Sequence, residues 1–536
     1  SLTAGNSTIV TVRAQLVRSG QDNTFYFQVS HLIDILFVDS FQGPCLKRKR
    51  RADETMSAFT PEDFGFAFLE DGATVQDVIE QRISELSKTD AREAFYVADL
   101  GQVVRRYLRW VRFMPRVTPF YAVKCNDSRP LVLALAALGT GFDCASEYEV
   151  ELVKSLGVDT SRIIYANTCK QPSHLKHATA QGIQMMTFDD EGELLKIAKC
   201  YKDAKLVLRI ETDDSDSMFP LSNKFGATVE MGKFLLKRAK ERALDVIGVS
   251  FHVGSACKNP KAYTKAIADA RILFDKGAEL GCNMTLLDIG GGFPGYDIPD
   301  FVFKEFAAEI NPTLDKYFPA SSGVRIISEP GRYFPSTVYT LAVNIIGKKV
   351  AAISEKEKQD GDGEDVHKNR MMYYVNDGIH GSFKFVLFPN ALVLPNPCQK
   401  RQLNERTYSS TIFGQTCDGH DLIMEDFQLP ELREGEWLLF HNMGAYTITT
   451  STTFNGFQKP DIHYVMSRSM WQHIEEISAA KGLYAPEEEA SEEPEICSFL
   501  KPGPARKLYE QYAKQAVPRI IEVMELQRKR EMQDRV

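Results

Sequence analysis

At 536 residues the chain has room for two or more domains, and 43% hydrophobic with 25% charged residues is the make-up of a globular protein with a sizeable core. A formal net charge of −8 argues against nucleic acid or an anionic membrane as the main partner, since both reward a basic surface, and leaves small molecules and proteins. Ten cysteines, scattered from Cys45 to Cys497 without a Cys-x-x-Cys pair, suggest neither a zinc site nor a disulfide framework. No metal is expected, and the thiols fit a reducing cytoplasmic setting.

The nearest approach to a membrane span, Phe25 to Phe41, is interrupted by Gln28, Ser30, His31, Asp34 and Asp39, and no secretory signal is read. The basic run Lys47-Arg48-Lys49-Arg50-Arg51 is either a nuclear-import patch or, more commonly for such clusters, solvated charge. Met56 follows it, and residues 1–55, which lack a clear periodic pattern, are expected to be an extension without order. In the next segment Val75, Val78, Ile79, Ile83 and Leu86 recur at helical spacing and predict a helix over 75–86.

From residue 117 to 329 a short β-type run is followed by a helical stretch eight times: 118–123, 139–143, 162–166, 183–188, 205–210, 246–251, 285–289 and 325–328. Eight alternations fit a (β/α)8 TIM-type barrel, placed over residues 100–335, better than a doubly wound sheet. Active sites of such barrels lie at the C-terminal strand ends, which here carry Lys124, Asp143, Asn167, Asp189, Arg209, His252, Gly290-Gly291-Gly292 and Glu329. Loop polarity alone accounts for some of these, but not for their type and order.

Lys124 follows the apolar run Phe120 to Val123, so it is either a strand-end lysine that snorkels to solvent or a lysine put to covalent use as a Schiff-base former. The seventh and eighth loops decide between them. Phosphate sites in barrels are commonly built there, and Asp288 to Gly295 exposes backbone N–H groups on glycine, while Glu329-Pro330-Gly331-Arg332 adds a further glycine and a cation. A strand-end lysine, a phosphate cradle and an acid converge on pyridoxal 5'-phosphate, with Glu329 at the pyridine nitrogen. His252 would lie against the ring face, although a lone histidine is more often a satisfied core residue.

Beyond Glu329, runs such as Thr337 to Ile346, Met371 to Val375 and Trp437 to Phe440 predict a second, mainly β domain over 336–475, to which residues 56–99 contribute. Ser354 to Arg370 reads as a mobile charged loop. Residues 476–536 form an acidic linker and a charged tail, with helical spacing at Val517, Ile520, Ile521, Val523, Met524 and Leu526 that is either a solvated helix or a partner-binding one.

These motifs resemble eukaryotic ornithine decarboxylase and its non-catalytic relatives, the antizyme inhibitors. The likeness runs from Met56 to about Ile474 through Pro119 to Asn126, Gly141 to Ser146, Val249 to Ser255, the glycine triplet, Glu329 to Arg332, Cys417-Asp418-Gly419 and Asn442 to Thr447. It implies an alanine-racemase-like barrel plus β domain, an amino-acid substrate, and a homodimer with shared active sites. Position by position, it implies Lys124 as the cofactor lysine, with Asp143, Glu149 and Arg209 around it. His252 would stack on the ring, Glu329 would meet the pyridine nitrogen, and Ser255, Gly290, Gly292, Arg332 and Tyr446 would hold the phosphate. Cys417 and Asp418 resemble the pair given by the neighbouring subunit, the thiol directing protonation and the carboxylate meeting the distal ammonium. Lys224 and Asp421 resemble a salt bridge across the dimer, and Lys170 to Asp189 an antizyme-binding segment.

Two departures bear on substrate. His380 stands where the family has a tyrosine, and Pro389 where it has an aspartate that shares the distal ammonium. Three readings follow: decarboxylation of L-ornithine to putrescine in polyamine synthesis, decarboxylation of apolar amino acids such as valine or leucine, or an antizyme-binding homologue without activity. The tail shows no clear match to the family's degradation signal. Because residues 1–55 precede the likeness, their deletion is expected to leave melting temperature and turnover unchanged. A large fall in melting temperature on deletion would contradict this.

Overall fold

The computed structural model describes residues 61–70, 72–296, 302–352, 369–388, 393–399 and 405–483, together with the short strands Leu16–Arg18 and Phe25–Phe27. Pro389, the charged tail and almost all of the loop expected at 354–370 lie outside the described residues. Residues 1–54 form a unit of their own, in which Leu16 pairs with Phe27 and Arg18 with Phe25 in antiparallel register. These two three-residue strands are the described part of residues 1–55.

In the second unit, eight parallel strands close into a barrel: Val117–Ala122, Gly141–Cys144, Ile163–Tyr165, Met185–Phe188, Lys205–Ile210, Asp245–Phe251, Leu286–Asp288 and Arg325–Ser328. Each falls within two residues of its predicted ends, because strands buried on both faces read as continuous apolar runs closed by a polar residue. Phe120, Ile164, Met185, Val207, Leu286 and Ile327 fill the lumen, so the barrel is a packed core and its chemistry is confined to the rim.

The second sheet runs in the order Leu422–Pro430, Thr407–Phe413, Asn369–Val375, Tyr339–Ala352, Phe95–Asp99, Asp461–Met466, Ala67–Phe68. Residues before the barrel therefore supply two of its strands, Phe95–Asp99 and Ala67–Phe68. The strand expected at Thr337 to Ile346 runs on to Ala352 because a register shift between Ile345 and Gly347 lets it change partners, from Phe95–Asp99 and Trp437–Phe440 to Asn369–Val375. The predicted helix spans Val75–Leu86 and begins with a reciprocal cap: the Asp77 N–H donates to Thr74 Oγ1 at 3.3 Å and the Thr74 N–H to Asp77 Oδ2 at 2.7 Å. Its buried Ile79 packs on Phe95, Val97, Trp437 and Val465 of the sheet. No helix among the described residues is long and apolar enough to cross a membrane.

Candidate active site

The first barrel strand stops at Ala122, and Val123–Cys125 make one tight turn that presents Lys124 at the rim. Three hydrogen bonds fix that turn: Tyr121 Oη donates to the Asn126 carbonyl at 2.8 Å, Asn126 Nδ2 to the Gly444 carbonyl at 2.9 Å, and the Tyr446 N–H to the Cys125 carbonyl at 3.0 Å. The last two tie the barrel to the β domain beside the lysine.

Lys124 Nζ is ion-paired with Asp143 Oδ2 of the second strand. Asp143 is fully buried, and its Oδ1 has no hydrogen-bond partner. Desolvation works against the ammonium, but the carboxylates of Asp143 and Glu329 outweigh it and hold Lys124 above its ordinary pKa. Glu149 lies in the first turn of helix Glu147–Ser155, where its Oε2 accepts the Ala145 N–H at 2.6 Å. Burial pushes its carboxyl up to about 7 against the pull of Lys124.

Two more acids close the floor. Asp288, at the end of the seventh strand, accepts the Gly290 N–H at 2.9 Å and is raised to about 6 by burial. Glu329, one residue past the eighth strand, is raised further by burial and by the charge of Asp288, and its Oε1 has no partner. Burial, with the positive charges of Arg209 and Lys124, holds His252 far below the usual imidazole range. Its Nδ1 accepts the Gly254 N–H at 3.0 Å, so the neutral ring carries its proton on Nε2. The Arg209 guanidinium lies over the Phe225 ring at 4.9 Å.

On the other side of the rim, Arg332 Nη2 donates to Ser255 Oγ at 3.4 Å, and the guanidinium lies 5.1 Å from the centre of the Tyr446 ring. Gly290 and Gly292 have φ of +62° and +118°, and a Cβ on Gly292 would fall 2.8 Å from the Gly254 carbonyl. Of the other polar strand ends, Asn167 Oδ1 accepts the Cys169 N–H of its own loop, and Asp189 Oδ2 accepts the Gly226 N–H of the loop after the next strand, so both are spent on backbone.

A second cluster lies in the β domain. Asp418 Oδ2 is 2.7 Å from His380 Nε2, and its Oδ1 accepts the His420 N–H at 2.9 Å. Cys417 beside it is exposed, its N–H donating to Asn455 Oδ1 at 3.0 Å. His380 also packs on Phe454, ring centres 4.5 Å apart. Among the described residues no hydrogen bond or ion pair joins this cluster to the Lys124 group. Asp421 is buried and accepts from the Ile379 N–H at 2.8 Å and from Thr416 Oγ1 at 2.6 Å, while Lys224 Nζ lies over Phe225. Within one chain, therefore, Lys224 and Asp421 are not each other's partners.

The model of the pyridoxal-dependent decarboxylase, pyridoxal binding domain, matches residues 100–336. The chain is 55% identical to ornithine decarboxylase of Rattus norvegicus over 425 residues, 79% of this chain and 92% of the relative. It belongs to the ornithine decarboxylase family. Antizyme inhibitor 2 of Xenopus laevis is also similar, 50% identical across 82% of this chain and 95% of that protein. Among solved structures, the arginine decarboxylase of Paramecium bursaria Chlorella virus superposes with a TM-score of 0.67 at 35% identity, covering 73% of this chain and all of the other.

The family's cofactor is pyridoxal phosphate, and the rim suits it. The unpartnered Oε1 of Glu329 sits where a protonated ring nitrogen would satisfy it, and the buried Nε of Arg332, also without a hydrogen-bond partner, stands beside Ser255 and the glycine cradle, a donor set for a phosphate. The acidic role of Asp288 and the contact of His420 were missed in the sequence: Asp288 reads as the start of a glycine loop, and His420 meets Asp418 through its backbone N–H and its Nδ1 only once that loop is folded.

The raised carboxyl of Glu149 has a signed consequence. Its folded pKa exceeds the ordinary 4.5, so its contribution to stability falls as pH rises from about 4.5 to about 7 and then levels. Glu149→Gln does not titrate, so the stability of the variant relative to the parent should rise by up to about 3 kcal/mol across that window. Denaturant melts from pH 4.5 to 8 check this, and parallel curves for the two proteins would contradict it.

Proposed function

We propose that the chain decarboxylates L-ornithine to putrescine, with pyridoxal phosphate carried by Lys124 and the site completed across a homodimer in the cytosol. Pyridoxal phosphate, when bound, supplies an electron sink for the pair left by carboxylate loss. The chain's own groups hold everything else in place. Glu329 keeps a proton at the ring nitrogen, His252 offers a flat neutral face, and Ser255, Arg332, Tyr446 and the N–H groups around Gly290 and Gly292 bind the phosphate. Asp143 and Glu149 set the charge around Lys124. Cys417 delivers the proton to the carbon that has lost CO₂, and Asp418 holds the distal ammonium of the substrate.

The observation that carries a basic substrate is the position of Asp418, a carboxylate beside Cys417 held by the His420 N–H at 2.9 Å and by His380 at 2.7 Å. The His420 N–H, and then His380, hold its carboxyl down to about 2, so it presents an anion beside Cys417. An apolar side chain would leave that anion without a counter-charge, which disfavours the valine or leucine reading. His380 is the feature in favour of that reading, because it occupies one oxygen of Asp418 that an ammonium would use.

CO₂ release is measured from ornithine, lysine, arginine, valine and leucine, using protein loaded with pyridoxal phosphate. Ornithine should lead, and Asp418→Ala should cut its kcat/KM by roughly 30-fold or more while sparing apolar substrates. Preference for valine or leucine would overturn the substrate, and no release from cofactor-loaded protein would favour the non-catalytic reading, in which Lys170 to Asp189 binds antizyme.

The division of the site between the barrel and the β domain supports a shared dimeric centre, with Lys224 of one chain reaching Asp421 of the other. Lys124→Ala mixed with Cys417→Ala leaves one intact site in each mixed dimer, so random exchange should restore up to about a quarter of wild-type activity. No recovery from chains proven to exchange would exclude it.

A further inference from the structure

The outer face of the barrel carries a cluster that the reaction does not use. Glu147 and Glu151 stand four residues apart on helix Glu147–Ser155, and His174 and His177 three apart on the neighbouring helix Pro172–Ala180. These spacings put each pair on one helix face, and the two faces meet. His177 Nε2 is 3.2 Å from Glu151 Oε1 and 3.8 Å from Glu147 Oε1, and His174 Nε2 is 3.9 Å from Glu147 Oε2.

We propose that Glu147, Glu151, His174 and His177 form a binding site for a divalent transition-metal ion, with zinc as the best match. Metal–ligand bonds of about 2.0–2.2 Å in tetrahedral geometry place neighbouring donor atoms roughly 3.4 Å apart, close to the spacings found. One donor atom each from Glu147, Glu151 and His177 lie within 4.8 Å of one another, the only such group of histidine, cysteine and acid side chains among the described residues.

Two further observations separate the cluster from an ordinary helix-to-helix ion pair. Both ring nitrogens of His177 are buried and neither makes a hydrogen bond, although Glu151 Oε1 is only 3.2 Å from Nε2, and a cation between the two would take up the lone pair of Nε2. His174 is already oriented: its Nδ1 is 3.3 Å from the Tyr165 hydroxyl, leaving Nε2 turned to the cluster, the arrangement by which an outer partner fixes a metal-binding imidazole. Two imidazoles and two carboxylates suit zinc better than calcium or magnesium, which take oxygen alone, and the two negative charges balance a dication. The Glu151 side, 59% exposed, gives the ion a way in.

The full-length, cofactor-loaded protein is dialysed against zinc at limiting free concentration, and bound metal is counted by mass spectrometry in the parent, His177→Ala and Glu151→Gln. The parent should retain one zinc more per chain than either variant, with affinity in the variants weaker by more than the roughly 10- to 100-fold lost when only an outer-sphere partner is removed. Cobalt in place of zinc should give visible bands without the near-ultraviolet thiolate band of a cysteine site. Equal uptake by all three proteins, or a thiolate band that persists in the variants, would overturn the proposal. Glu151→Gln keeps size and helix propensity, so loss of metal in a variant with an unchanged melting temperature cannot be ascribed to unfolding.

Discussion

The site is governed by a charge imbalance at the barrel rim, where Asp143, Asp288 and Glu329 are buried and the Lys124 side chain is half-exposed. The ammonium of Lys124 faces Asp143, Glu149 and Glu329, and a fourth acid, Asp288, lies beside Glu329 with Arg209 as its cation. Buried carboxylates are tolerated when paired, and only Asp143 has the lysine as a direct partner. The other three meet the constraint by holding protons more tightly than usual, which is why burial is the leading cause of each shift. A cationic ring beside Glu329 would relieve the same imbalance by letting that acid ionise, so the electrostatics that strain the protein alone are those that would bind the cofactor.

That constraint explains why the turn at Lys124 is so firmly made. A lysine on a loose loop would escape to solvent and leave Asp143 alone in the core. Asn126 and Cys125 instead fasten the turn to Gly444 and Tyr446 of the β domain. The same contacts bring Tyr446 to Arg332, so one interdomain seam positions both Lys124 and the Arg332 side of the rim. The β domain fastens its own polar cluster on the same plan. Asp421, bonded to Ile379 and Thr416, pins the loop that carries Cys417 and Asp418 against the one that carries His380.

What was legible in the sequence was local. Barrel strands announce themselves because apolar runs end in a polar residue where the chain leaves the lumen, and Lys124, His252 and the glycine triplet stood out at those ends. What was not legible depends on side chains that meet across the fold. His380 and Asp418 are 38 positions apart and touch only because two loops are packed together. Asp288 carries no signal of its own until the eighth strand sets Glu329 beside it. His174 and His177 read as polar residues of one helix, and only the neighbouring helix supplies the glutamates that give them a role.

The helix at Glu147–Ser155 shows how closely these layers are joined. Glu149 sits two residues from both Glu147 and Glu151, and two residues turn a helix by about 200°, so it projects from the opposite side of the cylinder. The inward acid holds its place through the Ala145 N–H and feels Lys124, while the outward pair faces His174 and His177. An ion bound outside would draw the second and third barrel helices together and fix the rotation of the first of them. One helix thus lines the surroundings of the lysine with its inward acid and meets the neighbouring helix with its outward pair, and neither face can be built without fixing the other.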